Sequence, residues 1–358
     1  AYQKKSVKGI DGFLIQKGVL YSNRNDIFTK DPNRLIRVFR IKQQFNVSLD
    51  ISLKNKITNS IPLIDNQVIN SPDAAVSFKA ILNAPGEVYP ILKEMHFLGV
   101  LGRYIPEFGE LTCLIQHEYY HRYTADEHVL RTIRHLDNVF KKVTPMDVTY
   151  EKELRKNNAP HLLYITLLLH DIGKSDGIQG HAESGAILAE PILNRLGYKK
   201  ENQKKILFII RKHLEMARFW QRYDLDDIQT AISFSEIIKD AELLRFLTVH
   251  TYCDAKGTAP TLWNNFKDSM HLTLFSRTLK TLENQTKPDT LNEEHRAMLK
   301  KDVLQLSLGN LPEEEVEAHF SLLPERYFVN TSANEAILHL NMINRLLSQI
   351  QNADSIGS

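Results

Sequence analysis

The chain has 358 residues, enough for one large domain or two modest ones. Its formal net charge of only +2 argues against a general attraction to nucleic acid or to anionic membranes. Two cysteines cannot form a disulfide framework and are typical of reduced, cytosolic thiols, while 42% hydrophobic residues provide an ample core. The sequence contains no run of 18 apolar residues and no signal-peptide pattern, so we expect a cytoplasmic protein without a membrane span.

The first predicted element is a β-hairpin. The segment from Gly12 to Ser22, GFLIQKGVLYS, has short apolar runs on either side of Lys17-Gly18. It carries the only clear strand signal that we find in the sequence.

Helical patterns follow the hairpin. Asp31 and Pro32 open DPNRLIRVFRIKQQF, whose apolar residues share one face and whose basic residues share the other. We expect this basic face to be solvated, or to dock against an acidic domain outside the chain, rather than to contact RNA. Further helices are predicted at LKNKITNSIPLID and at SPDAAVSFKAILN, where Ser71 is the N-cap and Pro72 the first helical residue.

The most informative stretch is Pro160 to Ala186. After the proline it forms a helix that is apolar nearly all round, HLLYITLLL, and this helix ends in His170 and Asp171. Burying a carboxylate beside an imidazole is costly unless something compensates them, and a divalent cation binds both groups. The alternative is an Asp near a helix end that pairs with a neighbouring His or with Lys174.

Two more residues extend this pattern. His128 lies on the predicted helix TADEHVLRTIRHL, and Asp254 follows the apolar helix LLRFLTVHTYC. The order His, His-Asp, Asp resembles that of the HD superfamily of metal-dependent phosphohydrolases. The resemblance implies that these four side chains hold one metal ion. It also implies that His181 and His213 complete a second site, with Asp171 bridging the two ions.

A narrower resemblance covers most of the chain, from about Gly12 to about Leu340. The segments MHFLGVLGRYIPEFG, DEHVLR, LLLHDIGK, GHAESGA, CDAKGTAPTLWNNFKDS and LPERYFVNTSANEAILHL are similar to those of the bacterial bifunctional PII uridylyltransferase/uridylyl-removing enzymes, the GlnD family. That family's nucleotidyltransferase domain and its two ACT domains are not found in this sequence, which also does not begin with Met. We therefore expect a fragment of a longer protein. Gly180 stands where the family usually has an Asp before the GHAESGA histidine.

The resemblance implies a mainly α fold, a multi-helix HD-domain bundle with an additional N-terminal helical region that carries the short β-hairpin. The expected divisions are residues 1–95 for that helical region, 96–285 for the HD phosphohydrolase domain, and 286–358 for a C-terminal helical extension.

The implied reaction is hydrolysis of the phosphodiester that joins UMP to a tyrosine of the PII signalling protein, in nitrogen regulation. Asp171 and Lys174 are the expected catalytic residues, and Lys174, with Arg211 or Lys212, would contact the phosphate. Carboxylate and imidazole ligands without thiolate favour one or two Mn²⁺, Mg²⁺ or Fe ions over structural Zn²⁺.

Simpler roles are open for several of these residues. His128 could be a surface His, His181 a helix cap and His213 a satisfied core His. We expect His121, His135, His250, Cys253 and Trp263 to be structural. Two other functions are also open: a nucleotidase or phosphodiesterase that acts on a free nucleotide, and a non-catalytic regulatory module that the metal stabilises.

Overall fold

The structure is a computed structural model that describes residues 8–115, 122–177, 179–259, 261–284, 288–307, 311–323, 327–328 and 331–354. Within these residues helices predominate and all strands lie before residue 50, which confirms the predicted mainly α class. The chain divides into two compact units, residues 1–218 with 242–271 and residues 219–241 with 272–358. His121 and the first seven residues lie outside the described part of the chain.

The predicted hairpin is present as part of a small sheet. Strands β2 (Phe13–Gln16) and β3 (Val19–Tyr21) pair antiparallel across Lys17 and Gly18, which both have positive φ. Two strands that we did not predict flank them: β1 (Lys8–Ile10), antiparallel to β2, and β4 (Ser48–Leu49), parallel to β3. An Asp-Gly turn joins β1 to β2 and is the local signal that could have indicated the extra strand.

Eight helices of the described chain follow up to residue 109 and pack around the sheet and one another. Ser71 accepts a hydrogen bond from the backbone nitrogen of Ala74, as expected of an N-cap, and Pro72 is the first helical residue. The helices are α1 (Ile27–Lys30), α2 (Arg34–Phe45), α3 (Ile51–Asn59), α4 (Asn66–Ile69), α5 (Pro72–Leu82), α6 (Tyr89–Phe97), α7 (Val100–Tyr104) and α8 (Pro106–Gly109).

The basic face of α2 is largely paired within the chain, which differs from the expectation of a solvated or docking face. Arg34 and Arg37 lie 3.0 and 2.7 Å from the carboxylate of Asp11, and Arg37 also lies 3.0 Å from Asp31. These pairs tie the turn between β1 and β2 to the start of α2.

The helices that carry the site come next. Helix α11 is buried on every side, as its apolar sequence predicts. It begins at Leu162, so Pro160 precedes the helix rather than opening it. The bounds are α9 (Ala125–Lys141), α10 (Pro145–Leu154), α11 (Leu162–Leu169), a 3₁₀ turn (Ile172–Asp176), α12 (His181–Arg195), α13 (Lys200–Lys212), α14 (Glu215–Arg222), α15 (Ile228–Ile238) and α16 (Ala241–Thr258).

A buried carboxylate links α9 to the preceding helices. Asp137 accepts hydrogen bonds from the Tyr164 hydroxyl at 2.6 Å and from the backbone nitrogen of Tyr89 at 2.8 Å. Burial raises the pKa of Asp137, although these hydrogen bonds oppose the effect. Asp137 therefore serves as a tertiary cap for the first turn of α6.

The second unit has an apolar cluster of its own. Helices α17 (Asn265–Asn284), α18 (Pro288–Leu306), α19 (Glu313–Ser321) and α20 (Ala333–Asp354) complete the described chain. Among the described helices, none combines the length and the apolarity needed to cross a lipid bilayer. The buried cluster consists of Leu299, Val303, Leu311, Val316, Phe320, Phe328, Ala336 and Leu340.

Candidate metal centre

Three of the predicted side chains form a first group. His128, His170 and Asp254 each offer one ligand atom, and these atoms all lie within 4.8 Å of one another. The Nε2 atoms of His128 and His170 lie 3.0 and 3.6 Å from the same oxygen, Asp254 Oδ1. Both histidines are buried, whereas the side chain of Asp254 is 20% exposed, so the group reaches solvent at Asp254.

A second group lies beside the first. Asp171, His181 and His213 also bring one ligand atom each within 4.8 Å of one another, and all three are buried. The Nε2 atoms of His181 and His213 lie 3.2 Å apart. At this distance the two nitrogens can form a hydrogen bond with each other, or both can bind the same cation.

Asp171 faces both groups at once. Its Oδ2 atom lies 3.4 Å from His128 Nε2 and 3.3 Å from His170 Nε2. Its Oδ1 atom lies 3.5 Å from His181 Nε2 and 3.9 Å from His213 Nε2. One carboxylate thus directs a separate oxygen to each group.

Backbone carbonyls orient two of the imidazoles. His170 donates from Nδ1 to the carbonyl of Leu167 at 2.8 Å, and His213 donates from Nδ1 to the carbonyl of Ile210 at 2.7 Å. A proton held on Nδ1 leaves Nε2 as the ring atom that faces the site, as in histidines that ligate metals.

A close approach of two backbones brings the groups together. A Cβ atom on Gly173 would lie 2.3 Å from the carbonyl oxygen of His181 and 2.5 Å from the backbone nitrogen of Gly185. Only a glycine therefore lets the 3₁₀ turn after Asp171 rest on the first turn of α12. Gly257 acts in the same way between α16 and α9, where a Cβ atom would lie 2.7 Å from Thr132 Cγ2.

The electrostatics of the site follow from two carboxylates, the buried one of Asp171 and the partly exposed one of Asp254. Burial alone would lower the pKa of His170, but the carboxylates of Asp171 and Asp254 raise it to about 10. Burial would raise the pKa of Asp171, but His170 and Lys174 hold it well below its usual range. Burial and the neighbouring His170 lower the pKa of His213 to about 4. The carboxylates therefore need positive charge close to them.

The predicted phosphate contacts occupy different environments. Lys174 is buried, and its Nζ atom lies 2.7 Å from Asp171 Oδ2. Arg211 is exposed and lies 3.0 Å from the carboxylate of Glu183, while Lys212 is half-buried at the end of α13. Of the three, Lys174 is the cation that directly contacts a candidate ligand in the described structure.

One local expectation needs correction. Asp254 does not follow a helix end, because α16 continues through it to Thr258. His213 lies at a break between two helices, because α13 ends at Lys212 and α14 begins at Glu215. The helix break turns the His213 ring toward Asp171 and His181.

His250, which we expected to be structural, lies beside the site. His250 is fully buried, and its ring centroid lies 5.0 Å from that of His170 and 5.8 Å from that of His213. Burial and the neighbouring His170 hold its pKa well below its usual range. Its spacing of four residues before Asp254, on an apolar helix, was the available signal. Cys253, in contrast, is a buried thiol whose pKa burial raises well above its usual range.

The donor set suits a divalent cation. The six candidate ligands are four imidazoles and two carboxylates with no thiolate among them, a set that can bind a divalent cation. The negative charge of the carboxylates also favours cation binding. So do the backbone carbonyls that hold the Nδ1 atoms of His170 and His213.

Comparison with known families agrees with this geometry. Residues 13–104 match the family described as uridylyltransferase GlnD third domain, and residues 125–233 match the HD domain family. The chain carries a GlnD third domain and an HD domain. The HD domain places it in the HD superfamily of metal-dependent phosphohydrolases, whose members bind a divalent metal.

Curated relatives of this GlnD-related chain include two proteins named bifunctional uridylyltransferase/uridylyl-removing enzyme. The one from Rhodopseudomonas palustris is 28% identical over 345 residues, which cover 96% of this chain and 37% of the relative. The one from Nitrobacter hamburgensis is 33% identical over 270 residues, which cover 75% of this chain and 29% of the relative. The chain thus spans about a third of the length of these relatives.

Solved structures give weaker matches. A tRNA-processing enzyme in its apo form is 14% identical with a TM-score of 0.46, covering 77% of this chain and 60% of that one. A CCA-adding enzyme in complex with CTP is 13% identical with a TM-score of 0.44, covering 92% of this chain and 63% of that one. Similarity at this level carries no argument about fold or function.

Proposed function

We propose that this chain is the uridylyl-removing part of a GlnD-type enzyme. It would hydrolyse the phosphodiester between UMP and a tyrosine of the PII signalling protein, in the cytoplasm, releasing UMP. The observation that carries the proposal is the carboxylate of Asp171, which turns one oxygen to each of two ligand groups. The uridylyl-removing activity in the name of the relatives supports removal of a uridylyl group, and the PII tyrosine is the substrate that the family resemblance implies.

The proposed ligands of one ion are His128, His170, Asp171 and Asp254, and those of a second are Asp171, His181 and His213. Bound divalent cations would supply a water whose pKa is lowered to about 7 and would polarise the phosphoryl oxygens. Mn²⁺ is the proposed ion, because imidazole and carboxylate donors are mixed in both groups.

The residues of the chain would position the reactants. The buried walls of α9, α11 and α16 exclude bulk water from the ligand side of the centre. Lys174, held against Asp171, would offer its ammonium to a non-bridging phosphate oxygen and so stabilise the charge that grows there. Tyrosinate would leave as water attacks phosphorus.

The test is release of UMP. The Mn²⁺-loaded protein is incubated with uridylylated PII, and UMP is quantified beside the intact modified protein. We expect release that requires Mn²⁺ and is abolished by Asp171→Asn, while Asp176→Asn, an exposed carboxylate close in sequence, leaves it unchanged.

Other results would identify the competing functions. UMP release from small nucleotide esters but not from modified PII would indicate an enzyme of free nucleotides. Tight Mn²⁺ binding without turnover of any phosphodiester would indicate a regulatory module.

A further inference from the structure

His250 differs from His170, His213 and His271, three buried histidines that each donate a ring hydrogen bond to a backbone carbonyl. It is fully buried, yet neither of its ring nitrogens has a hydrogen-bond partner among the described residues. His170 and His213 each donate from Nδ1 to a backbone carbonyl. His271, equally buried on the next helix, donates from Nε2 to the carbonyl of Thr248 at 2.9 Å. Leaving a buried donor and acceptor without partners is costly, so such a residue points to a group that arrives on binding.

The position of His250 indicates where that group would be. It stands one helical turn before Asp254 on α16, so both side chains project from the same face of the helix. Its ring lies edge-on to the ring of His170, with centroids 5.0 Å apart and planes at 79°. The ring of His213 is 5.8 Å away, and the rings of His170 and His213 are themselves 5.3 Å apart. His250 therefore packs against one histidine of each ligand group.

Within the described part of the chain, His250 lacks the backbone anchor that His170 and His213, two of the proposed ligands, possess. Histidines that ligate metals have the second ring nitrogen fixed by a carbonyl or a carboxylate, as in His170 and His213. His250 has no such anchor among the described residues. A neutral imidazole with one donor and one acceptor suits an oxygen atom, which can accept from it or donate to it.

We propose that His250 is a further residue of the centre, and that its imidazole hydrogen-bonds to an oxygen carried by the bound cations, either of water or of the phosphoryl group. The inference rests on the proposed function only in taking a divalent cation to bind here. In this proposal His250 contacts an oxygen atom that is bound to the ions and does not contact the ions themselves.

The experiment compares His250→Phe with wild type and with His271→Phe, which removes a similarly buried imidazole outside the centre. Four quantities are measured: the number and affinity of bound Mn²⁺ ions, the Kd of inorganic phosphate for the Mn²⁺-loaded protein, the Tm without metal, and kcat on bis(p-nitrophenyl) phosphate. His250→Gln, which restores a donor and an acceptor, is the conservative variant.

For His250→Phe we expect unchanged Mn²⁺ binding and a Tm without metal that is equal to or above that of wild type, because two buried groups without partners are removed. If the oxygen belongs to phosphate, the Kd of phosphate rises about tenfold or more. If it belongs to water, that Kd is unchanged and kcat falls about 100-fold. His250→Gln recovers part of either loss. His271→Phe lowers the Tm and leaves phosphate binding and kcat unchanged.

Two results would overturn the inference. One is unchanged phosphate affinity together with unchanged kcat in His250→Phe. The other is loss of bound Mn²⁺ from this variant, because His250 would then be a ligand. A wild-type protein that binds Mn²⁺ and phosphate but releases no UMP from modified PII would instead refute the proposed function and leave this inference intact.

Discussion

The ammonium of Lys174 lies 2.7 Å from Asp171 Oδ2, the carboxylate oxygen that His128 and His170 also approach. A divalent cation and the ammonium of Lys174 would both be attracted to that oxygen, but the two positive charges would repel each other. The lysine therefore stabilises the metal-free carboxylate and opposes the metal, unless it turns toward a phosphate.

Replacement of this lysine tests that competition. Lys174→Met should tighten Mn²⁺ binding about tenfold, because a positive charge is removed from beside the ion. It should also destabilise the metal-free protein by about 3 kcal/mol, because Asp171 loses a buried partner. Calorimetric Mn²⁺ titration and denaturant unfolding measure the two effects. Arg211→Met, at an exposed cation paired with Glu183, should change neither. Weaker Mn²⁺ binding by Lys174→Met would contradict the competition.

The glycine contact between the 3₁₀ turn and α12 gives a second prediction. Gly173→Ala should destabilise the protein by about 1–3 kcal/mol, because the new Cβ overlaps the carbonyl of His181. It should also weaken binding at the Asp171, His181 and His213 group by moving α12 away. Mn²⁺ stoichiometry and unfolding free energy are the measurements. In Gly9→Ala the new Cβ meets only ordinary contacts, so this variant is the control. Wild-type values for both quantities in Gly173→Ala would refute the positioning role.

Metal removal should lower stability. Mn²⁺ at about 100 times its Kd adds about 2.7 kcal/mol to the free energy of unfolding, provided that the unfolded chain binds none. Treatment with EDTA should remove this increment, and the loss is measured as a drop in Tm. In Asp171→Asn the increment should be absent from the start, whereas Asp176→Asn should retain it. A Tm that is insensitive to Mn²⁺ and to EDTA would show that no cation binds the folded state.

The pH dependence of stability has a predicted sign at His271. Burial lowers the pKa of this residue to about 4, although the carbonyl of Thr248 opposes the effect. In the unfolded chain its pKa is about 6.5, so below that pH the unfolded state binds a proton that the folded state does not. The stabilising contribution is therefore complete above about pH 6.5. It is lost as the pH falls toward 4, at up to about 1.4 kcal/mol per pH unit.

Denaturant unfolding between pH 8 and pH 5 checks this sign. His271→Phe should be less stable than wild type at pH 8, because a buried hydrogen bond is lost. Its stability should nevertheless fall less steeply with acid. Parallel pH profiles for the two proteins would contradict the prediction.

Local signals explain what the sequence predicted well. Lys17-Gly18 adopts the turn that the hairpin needs, and Ser71 caps α5, because both depend on residues only a few positions apart. The side chains chosen by resemblance, from His128 to Asp254, converge in space. Their roles as ligands stay a prediction.

What the sequence did not predict depends on contacts between distant residues. The parallel pairing of β4 with β3 joins residues 29 positions apart, as Leu20 opposite Leu49 shows. The partner of Arg37 is Asp11, across a turn that no helix pattern includes. His250 looks like one more residue of an apolar helix until α11 and α13 bring His170 and His213 against it.

Each of the six candidate ligands stands on a helix or directly beside a helix end. The span between opposing donors is therefore set by how the helices pack, and a flexible loop cannot adjust it to the ion. Mg²⁺ needs ligand distances of about 2.0–2.1 Å, whereas Ca²⁺ needs about 2.3–2.6 Å. The packing of the hydrophobic interior would thus determine which ionic radius the site prefers. Replacing a buried leucine of α11 by a larger or a smaller residue would shift the preferred ion without altering a single donor atom.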